Sequence, residues 1–255
     1  MQPKTIDLNC DLGESYGAYT IGLDHAVLPF ITSANVACGY HAGDPLVMEA
    51  TVRACKAAGV HIGAHPGFPD LIGFGRRNLA ASPQEVKAYV QYQVGALQSF
   101  CKAARVPLCH VKPHGALYNM AAKDIALASA ICEAIAEIDG SIILLALSGS
   151  KMIEAAQATG LPCAREVFAD RAYEEDGSLV ARSKPGAMIT DEAEAIARVV
   201  GMAQNGRVRA VTGKEIPLQP ESVCVHGDNS HALAFVQKIR RALEANAIAL
   251  QAMHV

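Results

Sequence analysis

No block of basic residues and no acidic tail marks this sequence. Its 22 Lys and Arg face 25 Asp and Glu, a formal net charge of -3. A phosphate-neutralising surface, and nucleic-acid binding with it, is therefore not expected. The eight cysteines, at 10, 38, 55, 101, 109, 132, 163 and 224, include no C-x-x-C pair, which argues against a zinc ribbon or a redox motif. Long apolar runs are missing too: the most apolar stretch, Ile142 to Leu147, is far too short to cross a bilayer. Met1 to Thr5 lead straight into a strand-like run without a basic-then-apolar signal segment. The expectation is a soluble cytoplasmic protein whose cysteines are reduced and serve as small hydrophobes. No Walker-type G-x-x-x-x-G-K-[ST], kinase-like signature or H-E-x-x-H spacing occurs. With no Pro/Gly/Ser-rich linker and no low-complexity segment, residues 1–255 are expected to form one domain.

What the chain does have is apolar content, at 51%, enough for a full core. Strand-like runs near 5–11, 32–38, 60–65, 107–112, 141–147, 162–168 and 222–227 alternate with helix-like runs near 44–58, 83–104, 117–138, 150–159, 191–205 and 231–249. Ser82-Pro83-Gln84-Glu85 has the form of a capping box with Pro at the first helical position, and Asp191-Glu192-Ala193-Glu194 is similar. Gly59, Gly160 and Gly206 stand where left-handed helix stops belong. Such alternation predicts an α/β fold, a seven-stranded parallel βα barrel with helices outside, an open doubly wound sheet being the alternative. Residues 169–189 and 207–219 break the rhythm and are expected to form small added hairpins or loops.

Successive side chains on a strand point to opposite faces. Asp7, Asn9 and Asp11 share one face of the first strand, His61, Gly63 and His65 one of the third, and His110, Lys112 and His114 one of the fourth. Cys224, His226 and Asp228 share a face of the last, and Glu166 lies on the sixth with Asp170 beyond its end. The opposite faces are apolar, so in a barrel these polar sets line the lumen. Asp11, His65, Lys112, His114, Glu166 and His226 are then expected to converge at its upper mouth, where barrel enzymes carry their chemistry. A single histidine on a strand is commonly structural; a lysine in an apolar strand must find a partner. Two site types fit. One is a metal site of Asp11 with two of His41, His65, His114 and His226, activating water. The other is metal-free acid–base catalysis, with Lys112 stabilising an oxyanion and helping to keep Asp11 ionised. The glycine-rich Gly73-Phe74-Gly75-Arg76-Arg77 offers a weak phosphate-loop pattern beside a simpler reading as a solvated basic loop.

Several of these segments resemble motifs of the LamB/YcsF family: Ile6-Asp7-Leu8-Asn9-Cys10-Asp11-Leu12-Gly13-Glu14, Ser33 to Asp44, Gly63 to Phe68, Val111 to Asn119, Glu166 to Tyr173 and Val225 to Asp228. They run in order from residue 6 to about 235. The resemblance implies a barrel similar to the glycoside hydrolase and polysaccharide deacetylase barrels. It also implies one subunit of a prokaryotic ATP-dependent 5-oxoprolinase, which hydrolyses the lactam of 5-oxoproline to L-glutamate with ATP as co-substrate and two further subunits, B and C, as partners. Within the matching motifs, Asp11, His65, Lys112, His114, Glu166 and His226 are the catalytic candidates, and Asn9, Asn35, His41, Asp170, Arg171 and Asp228 the candidates for binding substrate. Asp11, His41 and His65 are the candidates for a divalent metal, an Asp and two His being the metal-binding set of those deacetylases. The competing readings are a stand-alone metal-dependent amidohydrolase or deacetylase, and a non-catalytic ligand-binding regulator.

Overall fold

The computed structural model describes residues 4–225 and 230–254. Seven parallel strands close on themselves: β1 (Lys4–Leu12), β2 (Ser33–Ala37), β3 (His61–His65), β4 (His110–Val111), β5 (Ile143–Leu147), β6 (Cys163–Phe168) and β9 (Ser222–Val225), which returns to pair with β1. The expected barrel is thus the observed one. Two short antiparallel strands, β7 (Arg207–Arg209) and β8 (Glu215–Pro217), form the hairpin expected within 207–219, and bridges Arg171↔Met188 and Tyr173↔Leu179 fold 169–189 into a compact loop.

The helices on the outside are α1 (Asp24–Val27), α2 (Pro45–Ala58), α3 (Pro83–Ala104), α4 (Gly115–Ala121), α5 (Ile125–Asp139), α6 (Lys151–Thr159), α7 (Glu192–Asn205) and α8 (Ser230–Ala245). The capping box of α3 forms as expected: Ser82 Oγ accepts from the Glu85 amide, and the Glu85 carboxylate accepts from the Ser82 amide. Gly59, Gly160 and Gly206 end α2, α6 and α7 at positive φ. Val86, Val90, Val94 and Leu97 of α3 are fully buried in the core between helices and strands. Each contributes roughly 1.5–3 kcal/mol by leaving water.

Two boundaries differ from the sequence pattern. The expected helix 117–138 is two helices, because the Asp124 carboxylate caps the amides of Ala126 and Leu127 and starts α5 anew. The last helix ends at Ala245, and Ala247 turns at φ 57° into a further strand, β10 (Ile248–Leu250), which pairs with residues 4–6 of β1. Below the lumen, Ile143, Leu145 and Ala164 pack with Met253 into an apolar floor. Among the described residues no helix is long and apolar enough to cross a membrane.

Candidate active site

Alternation along β1 does what the sequence pattern requires. Ile6, Leu8, Cys10 and Leu12 join the apolar core, whereas Asp7, Asn9 and Asp11 enter a polar lumen. The lowest polar layer centres on Asp7, whose carboxylate accepts from Thr32 and Ser33 hydroxyls, each at 2.6 Å, and from Ser222. Burial raises its pKa despite these three hydrogen bonds.

Lys112 occupies the layer above. Its Nζ is 2.9 Å from Glu166 Oε1, 3.0 Å from Asp11 Oδ1, and 3.2 Å from both Asn9 Oδ1 and Cys224 Sγ. Burial works to lower the lysine pKa, but Asp11 first, then Cys224 and Glu166, outweigh it and hold the pKa well above the usual value. Lys112 is therefore a permanent cation and not a base. Glu166 is fully buried, and both its oxygens are engaged, Oε1 by Asn9 and Lys112 and Oε2 by the Tyr118 hydroxyl at 2.7 Å. It sits in the lumen below the mouth, contrary to the expectation, and anchors the ammonium. Asn35 links Asn9 and Asp11 through its amide nitrogen and accepts from His110 Nε2 at 2.7 Å. His110 crosses the lumen only because residue 63 is glycine: a Cβ there would lie 2.1 Å from His110 Nε2.

At the mouth three imidazoles meet. His114 precedes α4 rather than lying on β4, since the Lys112-Pro113 step ends the strand early. His41 stacks on His114 with ring centroids 3.6 Å apart. A backbone carbonyl only accepts, so His65 Nδ1 donates to Lys112 O at 2.7 Å and His114 Nε2 donates to Phe74 O at 2.8 Å. In the neutral rings the remaining nitrogens, His65 Nε2 and His114 Nδ1, carry lone pairs, and these face each other at 2.9 Å. Asp11 Oδ2 lies 3.3 Å from the first and Glu14 Oε1 3.7 Å from the second. Burial, then His41 and His65, push the His114 pKa well below its usual value, which keeps that ring neutral and its Nδ1 lone pair available at neutral pH. One ligand atom from each of Glu14, His41, His65 and His114 falls within 4.8 Å of the others. This neutral-imidazole and carboxylate set suits a divalent cation of the zinc type. Asp11, one of the expected metal candidates, lies outside this group of four, bridging from His65 to Lys112; Glu14 takes its place.

The backbone that positions these rings is itself strained. Phe74 has φ 54°, and a Cβ on Gly75 would come within 2.8 Å of both His114 and His41. The loop amides of Gly73, Gly75 and Arg76 already donate to Asp70 and Gly73, and Arg77 is ion-paired with Asp70. The phosphate-loop pattern therefore does not form an anion nest. Arg76 alone of that pair turns to the cavity, a cleft of about 660 Å³ that opens over Asp11, His65, Lys112 and His114. Its walls include Tyr118, Phe168 and Arg171. Asp170 is half-buried at the end of β6. His226 and Asp228 lie outside the described residues. His110 enters the lumen as strand alternation predicts; Glu14, Tyr118 and Phe74 do not stand out as site residues in the sequence, although Glu14 and Tyr118 lie within motifs whose neighbours do.

The profile of the LamB/YcsF family matches residues 6–255. A 5-oxoprolinase subunit from Clostridium beijerinckii is 63% identical, with 98% of each chain covered, and its counterpart from Bordetella parapertussis is 56% identical, with 97% of this chain and 98% of the relative covered. The crystal structure of the lactam utilization protein from Thermus thermophilus superposes with a TM-score of 0.92 at 45% identity, covering 98% of this chain and all of that one. A deacetylase solved with its substrate shares the barrel alone, at a TM-score of 0.50 and 13% identity, with 97% of this chain and 87% of that one covered. By sequence and by fold, the chain belongs to the LamB/YcsF family.

Proposed function

We propose that this chain is the ring-opening subunit of an ATP-dependent 5-oxoprolinase, which hydrolyses 5-oxoproline to L-glutamate while ATP is converted to ADP and phosphate. The names of its relatives support the activity and the presence of further subunits, for which we take two partners, B and C. The observation that carries the reading is Lys112, a buried ammonium fixed between Asp11 and Glu166 beneath a cleft. Water adds to the lactam carbonyl, the carbonyl oxygen gains negative charge, and a fixed cation stabilises it more than it stabilises the neutral amide. Asp11, 15% exposed beside His65, accepts the proton of the attacking water and passes it to the ring nitrogen as the C–N bond breaks. Glu166 and Asn9 position Lys112, while Asn35 and His110 position Asp11.

An unactivated lactam is a stable amide, and this chain has no Walker-type or kinase-like motif. ATP-dependent activation is thus assigned to the partners. Eight free thiols suit a reducing compartment, and we place the assembly in the cytoplasm. The test is glutamate and ADP release by the purified chain, alone and with its partner subunits. Coupled turnover only in the complete assembly is expected; full ATP-coupled activity from the chain alone overturns the division of labour.

A second reading is favoured by the facing lone pairs of His65 and His114: a divalent cation held by Glu14, His41, His65 and His114. Bound there it would polarise the carbonyl and acidify a water molecule. Asp11 and Lys112 keep their roles in either case. ATP-independent hydrolysis by the metal-loaded chain would instead indicate a stand-alone amidohydrolase.

A further inference from the structure

The cleft is unusually cationic for a chain of net charge -3. Besides Lys112, which Asp11 and Glu166 neutralise, it is walled by Arg76, Lys123, Arg171 and Arg182, and among the described residues Asp11 is the one carboxylate that lines it. Three of these four cations are exposed and belong with solvent. Arg171 does not: it is 4% exposed. Among the described residues no carboxylate forms an ion pair with it, Nη2 donates to Val180 O at 2.7 Å, and the buried Nε has no hydrogen-bond partner. Burial and then the Arg182 charge lower its pKa to about 10, which leaves it a cation at neutral pH. The neighbouring Asp170 carboxylate favours the cation, but among the described residues it forms no ion pair with it; a guanidinium buried without a direct ion pair is costly, and the cost is removed when a ligand supplies one. Its backbone is held from two sides, by the bridge to Met188 and by Arg198 Nη2, which donates to Arg171 O at 3.2 Å. With the backbone held and Nη2 bonded to Val180 O, the guanidinium is positioned before any ligand arrives.

We propose that Arg171 is the specificity residue that receives the α-carboxylate of the lactam substrate, so that the ring carbonyl is delivered to Lys112. The inference rests on the 5-oxoproline reading above and adds what selects an acidic lactam over a neutral one. A guanidinium pairs with a carboxylate through two parallel N–H···O bonds, which fixes orientation as well as affinity. A ligand anchored at Arg171 lies in the same cleft as Asp11, Lys112 and His65.

The test compares L-5-oxoproline with its neutral isostere L-5-oxoprolinamide, using the complete assembly with ATP. The wild-type assembly is expected to prefer the acid by on the order of 100-fold in kcat/KM. Arg171→Leu is expected to lose that factor on the acid while keeping its rate on the amide, so that the preference falls to near unity. Arg171→Lys keeps the charge but not the fork, and should retain a preference reduced about tenfold; it decides the matter if the leucine variant does not fold. An equal loss on both substrates would mark a purely structural arginine and overturn the inference. So would an unchanged preference in the lysine variant, or an effect confined to KM for ATP, which would assign the guanidinium to a phosphate. If the wild-type assembly does not turn over 5-oxoproline at all, the functional reading itself fails; a wild-type enzyme that works but ignores the carboxylate refutes the role of Arg171 alone.

Discussion

Replacing Lys112 by Met keeps an unbranched side chain one atom shorter and removes the ammonium shared by Asp11 and Glu166. At 3.0 Å from Asp11 and 2.9 Å from Glu166, each pair has a Coulomb attraction of about 5.5 kcal/mol at an effective dielectric constant near 20. Most of this offsets the desolvation of the three charges in the wild-type protein. The variant keeps the desolvation of the carboxylates and loses the attraction, and removing one partner of a buried pair costs roughly 3–5 kcal/mol. For a chain of this size that lowers Tm by roughly 6–20 °C. Adding Glu166→Gln to the variant removes an unpaired charge and should restore about 1 kcal/mol or more, a coupling expected only between residues in contact. Turnover by the assembly, measured well below the lowered Tm, should fall at least ~100-fold because the oxyanion has lost its cation. Thermal unfolding by circular dichroism reads the first effect, and glutamate release the second. A Lys112→Met protein with a Tm within about 2 °C of wild type would show that the ammonium is not a buried counter-charge; near-normal turnover would remove it from catalysis.

Asp11→Asn should lower turnover by ~100-fold or more with little loss of stability, since the amide still accepts from Lys112; near-normal glutamate release with the partners present would dismiss Asp11 as the base. His110 has its pKa lowered to about 3, by burial first and then by Lys112, against an ordinary 6.5. Its neutral form is the folded form, so its contribution is complete above about pH 6.5 and is lost as pH falls towards 3, about 2 kcal/mol by pH 5. A His110→Gln variant should show a correspondingly flatter pH–stability profile in urea unfolding, and an unchanged slope would contradict this assignment. Gly63→Ala forces a methyl group against the His110 ring and should destabilise by about 1–3 kcal/mol; an unaltered unfolding midpoint would mean the ring is free to move. Finally, one cobalt(II) ion per chain should give visible absorption bands that His114→Ala abolishes, and saturation at about 100 times Kd should add roughly 2.7 kcal/mol of stability. Failure of both zinc and cobalt to bind would leave the histidine pair to share a proton.

How much of the fold and site is legible in the sequence depends on how each residue is held. The barrel and the lumen residues of β1, β2 and β3 follow from alternation with period two, because burial of Leu8, Val36 and Ile62 against helices leaves Asn9, Asn35 and His65 nowhere to go but inward. Glu166 obeys the same rule, yet its depth does not follow from it. Parallel strands in a barrel are staggered, so Glu166 pairs in register with Ser222, level with Asp7, and reaches upward to Lys112 from the lower layer. The remaining groups are placed by backbone that has no period. Glu14 lies past the end of β1, Phe74 turns through a left-handed conformation, and His114 and Tyr118 belong to the entry and first turn of α4. Each is fixed by long-range contacts: Phe74 O by the His114 ring, the Tyr118 hydroxyl by Glu166, Glu14 by His41. The protonation state of the site is hidden for the same reason. Which imidazole nitrogens carry lone pairs is decided by two carbonyls, one from Lys112 and one from a loop 40 residues before His114 in the chain. The sequence pattern shows four histidines that can meet, His41, His65, His114 and His226. Only the placement of those carbonyls turns two of their lone pairs towards each other, which converts a list of polar residues into a cluster with the geometry to hold a cation.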